Sequence, residues 1–494
     1  MDIFWFVLPL IFSVAFTVVI AFSPKRNLPP SPLALPVIGH LHLIKTPLHQ
    51  ALQTLSAKYG PIMYLRFGCR HVLVVSSPSA AEQCLSDHAD VVFANRPASL
   101  ATKYLSYNNT SLGFAPYGDH WRNLRRLTST LIFSSVSLHR SAAVRNQEVR
   151  CLARKLFQGC SGSIATNRKI NLSRMHYELL LNVMTATIAG KQCCMLDGMP
   201  DVTTFTNMCD YIPVLRWVGF KGMEKNLVNI HRKRDEFVQI LLDEYRRNRD
   251  GFSSNKERKM MIEHMLSLQE AEPEYYTDIL IKGLLQIMYT AGTHTTSITM
   301  VWVMSLLLNH PEAMEKARKE IDNNVEQGRL LEDDDLPKLP YLKCIINETL
   351  RLFPVAPLLL PHASSQSCTI EGFDIPEGTM MFVNAWAIHR DPGLWNEPDK
   401  FRPERFEGFG DEKRCFKFIP FGMGRRACPG ASMGMRIMGL ALGLLIQCFE
   451  WERVRDEELV DLTAASGGPT LRKAEPLEVM YRPRSTMLGL LSQL

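Results

Sequence analysis

The chain has 494 residues, 46% of them hydrophobic and 21% charged, which is enough apolar material for a large core and too much for a disordered tail. A net charge of +6, spread along the sequence, argues against nucleic acid as a partner and leaves an acidic protein or an anionic membrane surface open. Twelve cysteines without regular spacing, with Cys193 and Cys194 as the close pair, exclude a secreted disulfide scaffold and a C-x-x-C metal clamp, and read as free thiols in a reducing compartment.

In chain order, Ile3 to Phe22 is a run of twenty residues without charge. At ~1.5 Å per helical residue it is long enough to cross a hydrocarbon core of ~30 Å, so residues 1–23 are expected to form a membrane anchor. A signal peptide fits less well: Asp2 replaces a basic cluster and no A-x-A-like cleavage site follows. Lys25 and Arg26 come directly after, which places the rest of the chain on the cytosolic side. Residues 24–36 are proline-rich and form a semi-rigid hinge, because proline locks φ and removes a donor.

Residues 37–494 are expected to be one domain, mainly α with small β-sheets. "IMYLRF" and "HVLVVSS" (Ile62 to Ser77) read as strands, and helices dominate from there on. The longest begins at an N-cap, Thr277, followed by Asp278, and runs to Pro311. Leu284 to Leu308 carries no formal charge, so a second membrane span competes with a buried helix. The cluster Thr293-His294-Thr295-Thr296 favours the buried helix, lining a cavity, since such groups are costly against lipid.

Near the C-terminus, "PFGMGRRACPG" (Pro420 to Gly430) holds Cys428 in a constrained loop. Gly422, Gly424 and Gly430 allow close backbone approach, Arg426 suits a carboxylate, and the apolar helix beginning after Gly430 would lower the thiol's pKa through its positive end. A cysteine thiolate in such a setting can serve as an axial ligand to haem iron. The alternative is a buried structural cysteine.

Phe421, Gly424, Arg426, Cys428 and Gly430 match F-x-x-G-x-R-x-C-x-G, and by this motif the chain resembles the haem-thiolate monooxygenases of the cytochrome P450 superfamily. The resemblance runs from the anchor to the C-terminal region. It implies haem b with Cys428 as the metal ligand. It also implies that Glu348 and Arg351, an E-x-x-R on one helical face, join Arg405 of "FRPERF" in a buried triad. Trp121 and Arg125 of "HWRNLRR" and His362 of "LLLPHASS" correspond to propionate contacts. Ala291-Gly292-Thr293-His294-Thr295-Thr296 resembles A-G-x-[D/E]-T-[T/S], in which the acid and the threonine organise water and deliver protons. Thr295 is present, and His294 stands where the family has the acid. An imidazole titrating near ~6.5 can shuttle protons but lacks a carboxylate's charge.

"PVIGHLHLIKTPLH", "FANRPASLATKYLSYNNTSLGFAPYGDHWRNLRR" and "FGMGRRACPGASMGMR" resemble more narrowly the plant group of isoflavone 2'- and 3'-hydroxylases and lignan methylenedioxy-bridge enzymes. The positions matching substrate contacts in that group are Leu100, Tyr104, Leu112 and Phe114, then Phe205, Met208 and Tyr211, then Met288 and Ala291, and lastly Val355, Leu358, Leu359, Ser466 and Gly467. They are nearly all apolar or aromatic, which suits a hydrophobic small molecule. Arg122, Arg126, Lys413, Arg414 and Lys417 would form a basic face for NADPH–cytochrome reductase. The reading that follows is an endoplasmic reticulum monooxygenase, single-pass and facing the cytosol, that uses O2 on a hydrophobic metabolite. A reductase-independent isomerase or dehydratase and a non-catalytic haem scaffold are its rivals.

Overall fold

The computed structural model describes residues 26–160, 167–191, 208–247, 260–408 and 416–494. The expected anchor, Phe205, Lys413 and Arg414 lie outside these residues. The fold is mainly helical with small sheets. Strands β1 (Ile62–Phe67) and β2 (Arg70–Val75) pair antiparallel, in the two stretches that the β-branched pattern marks. Strand β7 (Met380–Val383) joins β2 in parallel and β4 (His362–Ala363) joins β7 antiparallel, giving the order β1-β2-β7-β4. A second sheet, in the order β3-β9-β8, brings Arg168–Asn171 (β3) and Phe449–Arg453 (β8) onto either side of Glu478–Pro483 (β9). Strands β5 (Cys368–Ile370) and β6 (Phe373–Ile375) form a separate hairpin.

The helices that build the site are α1 (Asp87–Val92), α2 (Leu100–Leu105), α3 (Asp119–Thr128), α4 (Leu172–Ala189), α5 (Met223–Arg247), α6 (Asp278–Asn309), α7 (Pro340–Leu352) and α8 (Ala431–Cys448). Helix α6 starts where the sequence places it: the Thr277 hydroxyl accepts the Leu280 N–H at 3.4 Å. It ends before Pro311, and its 32 residues extend roughly 48 Å. Leu284, Leu285, Trp302 and Leu306 are at most 2% exposed, so protein, not lipid, surrounds this uncharged helix. Trp302 stacks on Phe353 with ring centroids 4.1 Å apart and gives its N–H to Leu471 O at 2.8 Å, tying α6 to the loops after α7 and β8. Among the described residues, α8 is the helix long and apolar enough to cross a membrane, and it too lies mostly inside the core.

Two crossings place the site. Gly292 on α6 lets α4 come close: a Cβ there would stand 2.8 Å from the Met184 sulfur. On the opposite side, Gly434 of α8 approaches Thr296 of α6, with the Thr296 hydroxyl 3.7 Å from where a Cβ would be. The helix that follows Cys428 therefore crosses α6 at the turn that holds Thr295.

Candidate haem-thiolate site

The loop before α8 is closed by its own backbone. Cys428 N–H donates to Phe421 O at 2.9 Å, Gly422 N–H to Ile419 O at 3.0 Å, and Ala427 N–H to Gly424 O at 3.1 Å. Gly424 sits at φ +71°, and a Cβ there would lie 2.5 Å from both Asp90 Oδ1 and Leu85 O, so no other residue fits. The Cys428 side chain is exposed although protein crowds it on nearly every side, which means that it opens onto an interior space. Burial pushes its thiol pKa up, while the Gly430 N–H and Arg125 pull it down. The helix end lowers it as expected, through Gly430 at its N-cap, but desolvation outweighs that pull. A coordinating metal would supply the ionisation that burial opposes, since a coordinating thiol is deprotonated.

Behind the loop stands the triad. Glu348 and Arg351 are both fully buried, and Arg351 donates to the carboxylate from Nε at 2.7 Å and from Nη2 at 2.8 Å. Arg405 Nε and the Arg402 N–H reach the same carboxylate, each at 2.9 Å. The triad connects to the cysteine loop through a residue that sequence reading missed. Arg351 donates to His389 O at 2.8 Å, and His389 Nε2 accepts the Ile419 N–H at 2.9 Å. Burial lowers the His389 pKa to about 3, which keeps the ring neutral and able to accept. Nothing local in "AIHRDP" signals this, because the bond joins residues far apart in the chain.

On the flank of the loop is a cluster of cations. Arg426 gives Nε to Ala94 O at 2.5 Å, lies 4.6 Å from the centroid of the Trp121 ring, and keeps Nη1 buried without a partner. Trp121 gives its own N–H to Leu112 O at 3.1 Å and presents its ring to the Arg426 guanidinium. Arg96, which the sequence did not single out, donates Nη1 to Leu360 O at 2.8 Å and to Pro361 O at 2.9 Å. Burial, and then the neighbouring Arg426, pushes Arg96 down to about 9; burial, and then Arg125, pushes Arg426 to about 10. Arg125 is lowered by burial and feels Cys428. Among the described residues none of the three has a carboxylate partner. His362 gives Nδ1–H to Phe93 O at 2.8 Å, and burial, with Arg96 next, holds its pKa well below the usual histidine value.

The facing wall is α6. Ala291 and Thr295, one turn apart, are exposed in the middle of a helix whose other central residues are buried or half-buried, so both look into an interior space. The Thr295 hydroxyl donates to Ala291 O at 2.7 Å, which leaves its oxygen free to accept from water. His294 packs against Tyr177 of α4, ring centroids 5.1 Å apart. Ile287 continues the Ala291–Thr295 line one turn earlier, 3.5 Å from where a Gly113 Cβ would stand. Met288, expected on this wall, is 4% exposed and belongs to the main core.

The remaining expected contacts divide. Leu112 and Phe114 lie beside Gly113 and are buried. Phe114 and Tyr211 share a small cavity of about 30 Å³ with Arg70, Thr102, Pro361 and Met380. Leu100 packs with Cys209 and Leu227, and Tyr104 lies against the same cluster. Val355 is buried, Leu358 and Leu359 are half-buried, and Met208, Ser466 and Gly467 are exposed. Above them the segment from α2 to α3 is pinned to α5: Tyr104 OH donates to Glu224 at 2.6 Å and Tyr107 OH to Asp235 at 2.7 Å, the latter carboxylate also held by Lys282. Tyr107, Asn108 and Asn109 all have left-handed φ, of 47°, 59° and 63°.

Guanidinium charge without a counter-ion calls for an acid in the same space as the thiol. The two propionates of a porphyrin meet that need while its iron takes the sulfur, so the residues present fit haem and define a haem-thiolate protein. Comparison with known proteins agrees. The chain belongs to the cytochrome P450 family, whose sequence profile matches residues 29–478. It is 46% identical to the (+)-piperitol/(+)-sesamin synthase of Sesamum radiatum over 488 residues, covering 95% of this chain and 94% of that one. It is 43% identical to an isoflavone 2'-hydroxylase of Glycyrrhiza echinata over 487 residues, with the same coverage of 95% and 94%. A zebra fish cytochrome P450 solved with abiraterone superposes with TM-score 0.72 at 27% identity, covering 89% of this chain and 100% of that one. The enzyme is a haem-thiolate monooxygenase, which sets aside the isomerase and scaffold readings.

Proposed function

We propose that Cys428 is the iron ligand, that Arg426 and Arg125 hold the propionates, joined by His362 once a carboxylate at its Nε2 protonates the ring, and that the enzyme hydroxylates or ring-closes a hydrophobic plant metabolite such as a flavonoid, lignan or terpenoid. The observation that carries this reading is a Cys428 thiol left exposed within a crowded loop, with Arg426, a buried cation without a carboxylate among the described residues, two positions before it, and an exposed Ala291–Thr295 face on the helix that α8 crosses. When bound, the haem supplies dioxygen activation. The residues do the rest. Cys428 would hold the iron and lend it electron density, and the Gly430 N–H tempers the charge on its sulfur. Thr295 holds a water through its free oxygen, and His294 passes protons from the side of α4. Leu112, Phe114 and Ile287 exclude bulk water and orient an apolar substrate. The names of the two plant relatives, one a synthase of sesamin and one an isoflavone hydroxylase, support both reaction types.

We further propose that residues 1–23 anchor the enzyme in the endoplasmic reticulum with the remainder in the cytosol. Electrons would arrive from NADPH–cytochrome reductase docked on Arg122 and Arg126, which are exposed on α3. The test is incubation of microsomes containing the full chain and a reductase with a panel of flavonoids, lignans and terpenoids, followed by mass spectrometry. Gain of one oxygen, or loss of two hydrogens on a methoxyphenol, supports the reading if it requires NADPH and is abolished in Cys428→Ser. No product across the panel, or turnover retained in Cys428→Ser, overturns it.

A further inference from the structure

The two adjacent arginines of the cysteine loop part company. Arg426 turns inward, whereas Arg425 turns to Asp90, a carboxylate that is 5% exposed. Asp90 accepts the Arg425 N–H on both oxygens, at 3.1 and 3.0 Å, and Arg425 Nη1 at 2.8 Å. Arg425 Nε reaches Tyr117 OH at 3.1 Å. The contact falls on the Gly424–Arg425 turn, whose carbonyl in turn receives Ala427 N–H, the residue before the cysteine.

Asp90 also opens a short stretch that touches several other parts of the cofactor wall. Phe93 O holds His362, Ala94 O holds Arg426, Asn95 Oδ1 accepts the Tyr117 N–H at 2.7 Å, and Asn95 O accepts the Ala363 N–H at 2.9 Å. Arg96 then closes on Leu360 and Pro361. Residues 90–96 are thus bonded at once to the cysteine loop, β4 and the loop before α3.

We propose that Asp90 is a positioning residue for the Cys428 thiolate: its carboxylate fixes the Gly424–Arg425 turn and so sets the sulfur and Arg426 in register with the wall made by residues 93–96. This inference rests on Cys428 being the haem ligand. Its partners separate it from plain stability. Asp90→Asn keeps an oxygen for the Arg425 N–H but leaves the guanidinium uncompensated, whereas Arg425→Ala leaves that shared N–H on Asp90 in place but removes the cation. A cation added near the iron favours the reduced state, and an anion opposes it.

The experiment uses full-length haem-loaded protein in detergent. It measures the carbon monoxide difference spectrum, as the ratio of the thiolate-ligated band to the blue-shifted band of protein that has lost thiolate ligation, together with the midpoint reduction potential. Asp90→Ala is expected to lower the band ratio at least two-fold, Asp90→Asn less, and Arg425→Ala least. The potential should rise in Asp90→Asn and fall in Arg425→Ala. Leu242→Ala, a core truncation on α5, serves as the stability control and should keep the wild-type ratio and potential. A wild-type ratio in Asp90→Asn and Asp90→Ala, or potential shifts of the same sign in Asp90→Asn and Arg425→Ala, overturns the proposal. If Cys428→Ser retains the thiolate band, the ligand assignment itself has failed, which is a separate result.

Discussion

Replacing Glu348 by glutamine tests whether the buried triad supports the cysteine loop. The change keeps the shape and one acceptor but removes the charge that faces Arg351 at 2.7 and 2.8 Å and Arg405 at 2.9 Å. Stranding a buried charge costs about 3–5 kcal/mol. Arg351 keeps three backbone carbonyls, His389 O at 2.8 Å, Pro398 O at 2.6 Å and Lys400 O at 3.3 Å, which solvate part of the guanidinium and place the loss near the lower end. A loss of about 3 kcal/mol is roughly two powers of ten in the folding equilibrium, against a typical total of about 5–15 kcal/mol. Urea unfolding of the haem-loaded full chain should show a lower midpoint with an unchanged slope. The thiolate-ligated carbon monoxide band should weaken as well, because Arg351 reaches the loop through His389 and Ile419. A loss below about 1 kcal/mol together with an undiminished band would refute the idea that these charges brace the loop.

Gly292→Ala would set a methyl 2.8 Å from the Met184 sulfur and should cost about 1–3 kcal/mol, with Gly292→Ala/Met184→Ala recovering part of it in thermal unfolding. His294→Asp restores the acid of the family pattern and should release less peroxide per NADPH than the natural sequence; equal coupling in the two would sink the argument. Acid stability should follow the buried histidines His49, His176 and His389, whose pKa values burial lowers to about 4, about 3 and about 3. Because the folded form resists protonation, their contribution is complete above the unfolded value of ~6.5 and is lost as pH falls toward the folded values, about 2 kcal/mol each by about pH 5. Unfolding measured from neutral pH downward should show this decline, and His176→Phe should flatten it.

What could be read from the sequence was whatever repeats at short range. The cysteine loop, the E-x-x-R pair and the N-cap of α6 each consist of neighbours, and each stands where expected. Asp90, Arg96, Tyr117 and His389 could not be read that way, since each works by bonding to a residue brought near only when the chain folds. Helical phase explains a smaller miss. Met288 and Ile287 are equally apolar, and only the face shared with Ala291 and Thr295 shows that Ile287 continues the wall. For the cysteine thiol, the helix end was visible in the sequence but the degree of enclosure was not, and enclosure decided the sign of the shift.

The three successive left-handed residues Tyr107, Asn108 and Asn109 carry a further consequence. Such backbone is held only when surroundings over-determine it; here main-chain bonds from Asn108 N–H to Lys103 O at 2.8 Å and Thr110 N–H to Ser106 O at 3.0 Å are joined by two phenol hydroxyls, of Tyr104 and Tyr107, that grip Glu224 and Asp235. The ceiling over the reacting space and the long helix α5 are therefore mechanically one piece. On the proposed reading, selectivity for a guest molecule belongs to side chains hanging from that piece, so Leu112 or Phe114 can be exchanged for other shapes without loosening the vault that carries them.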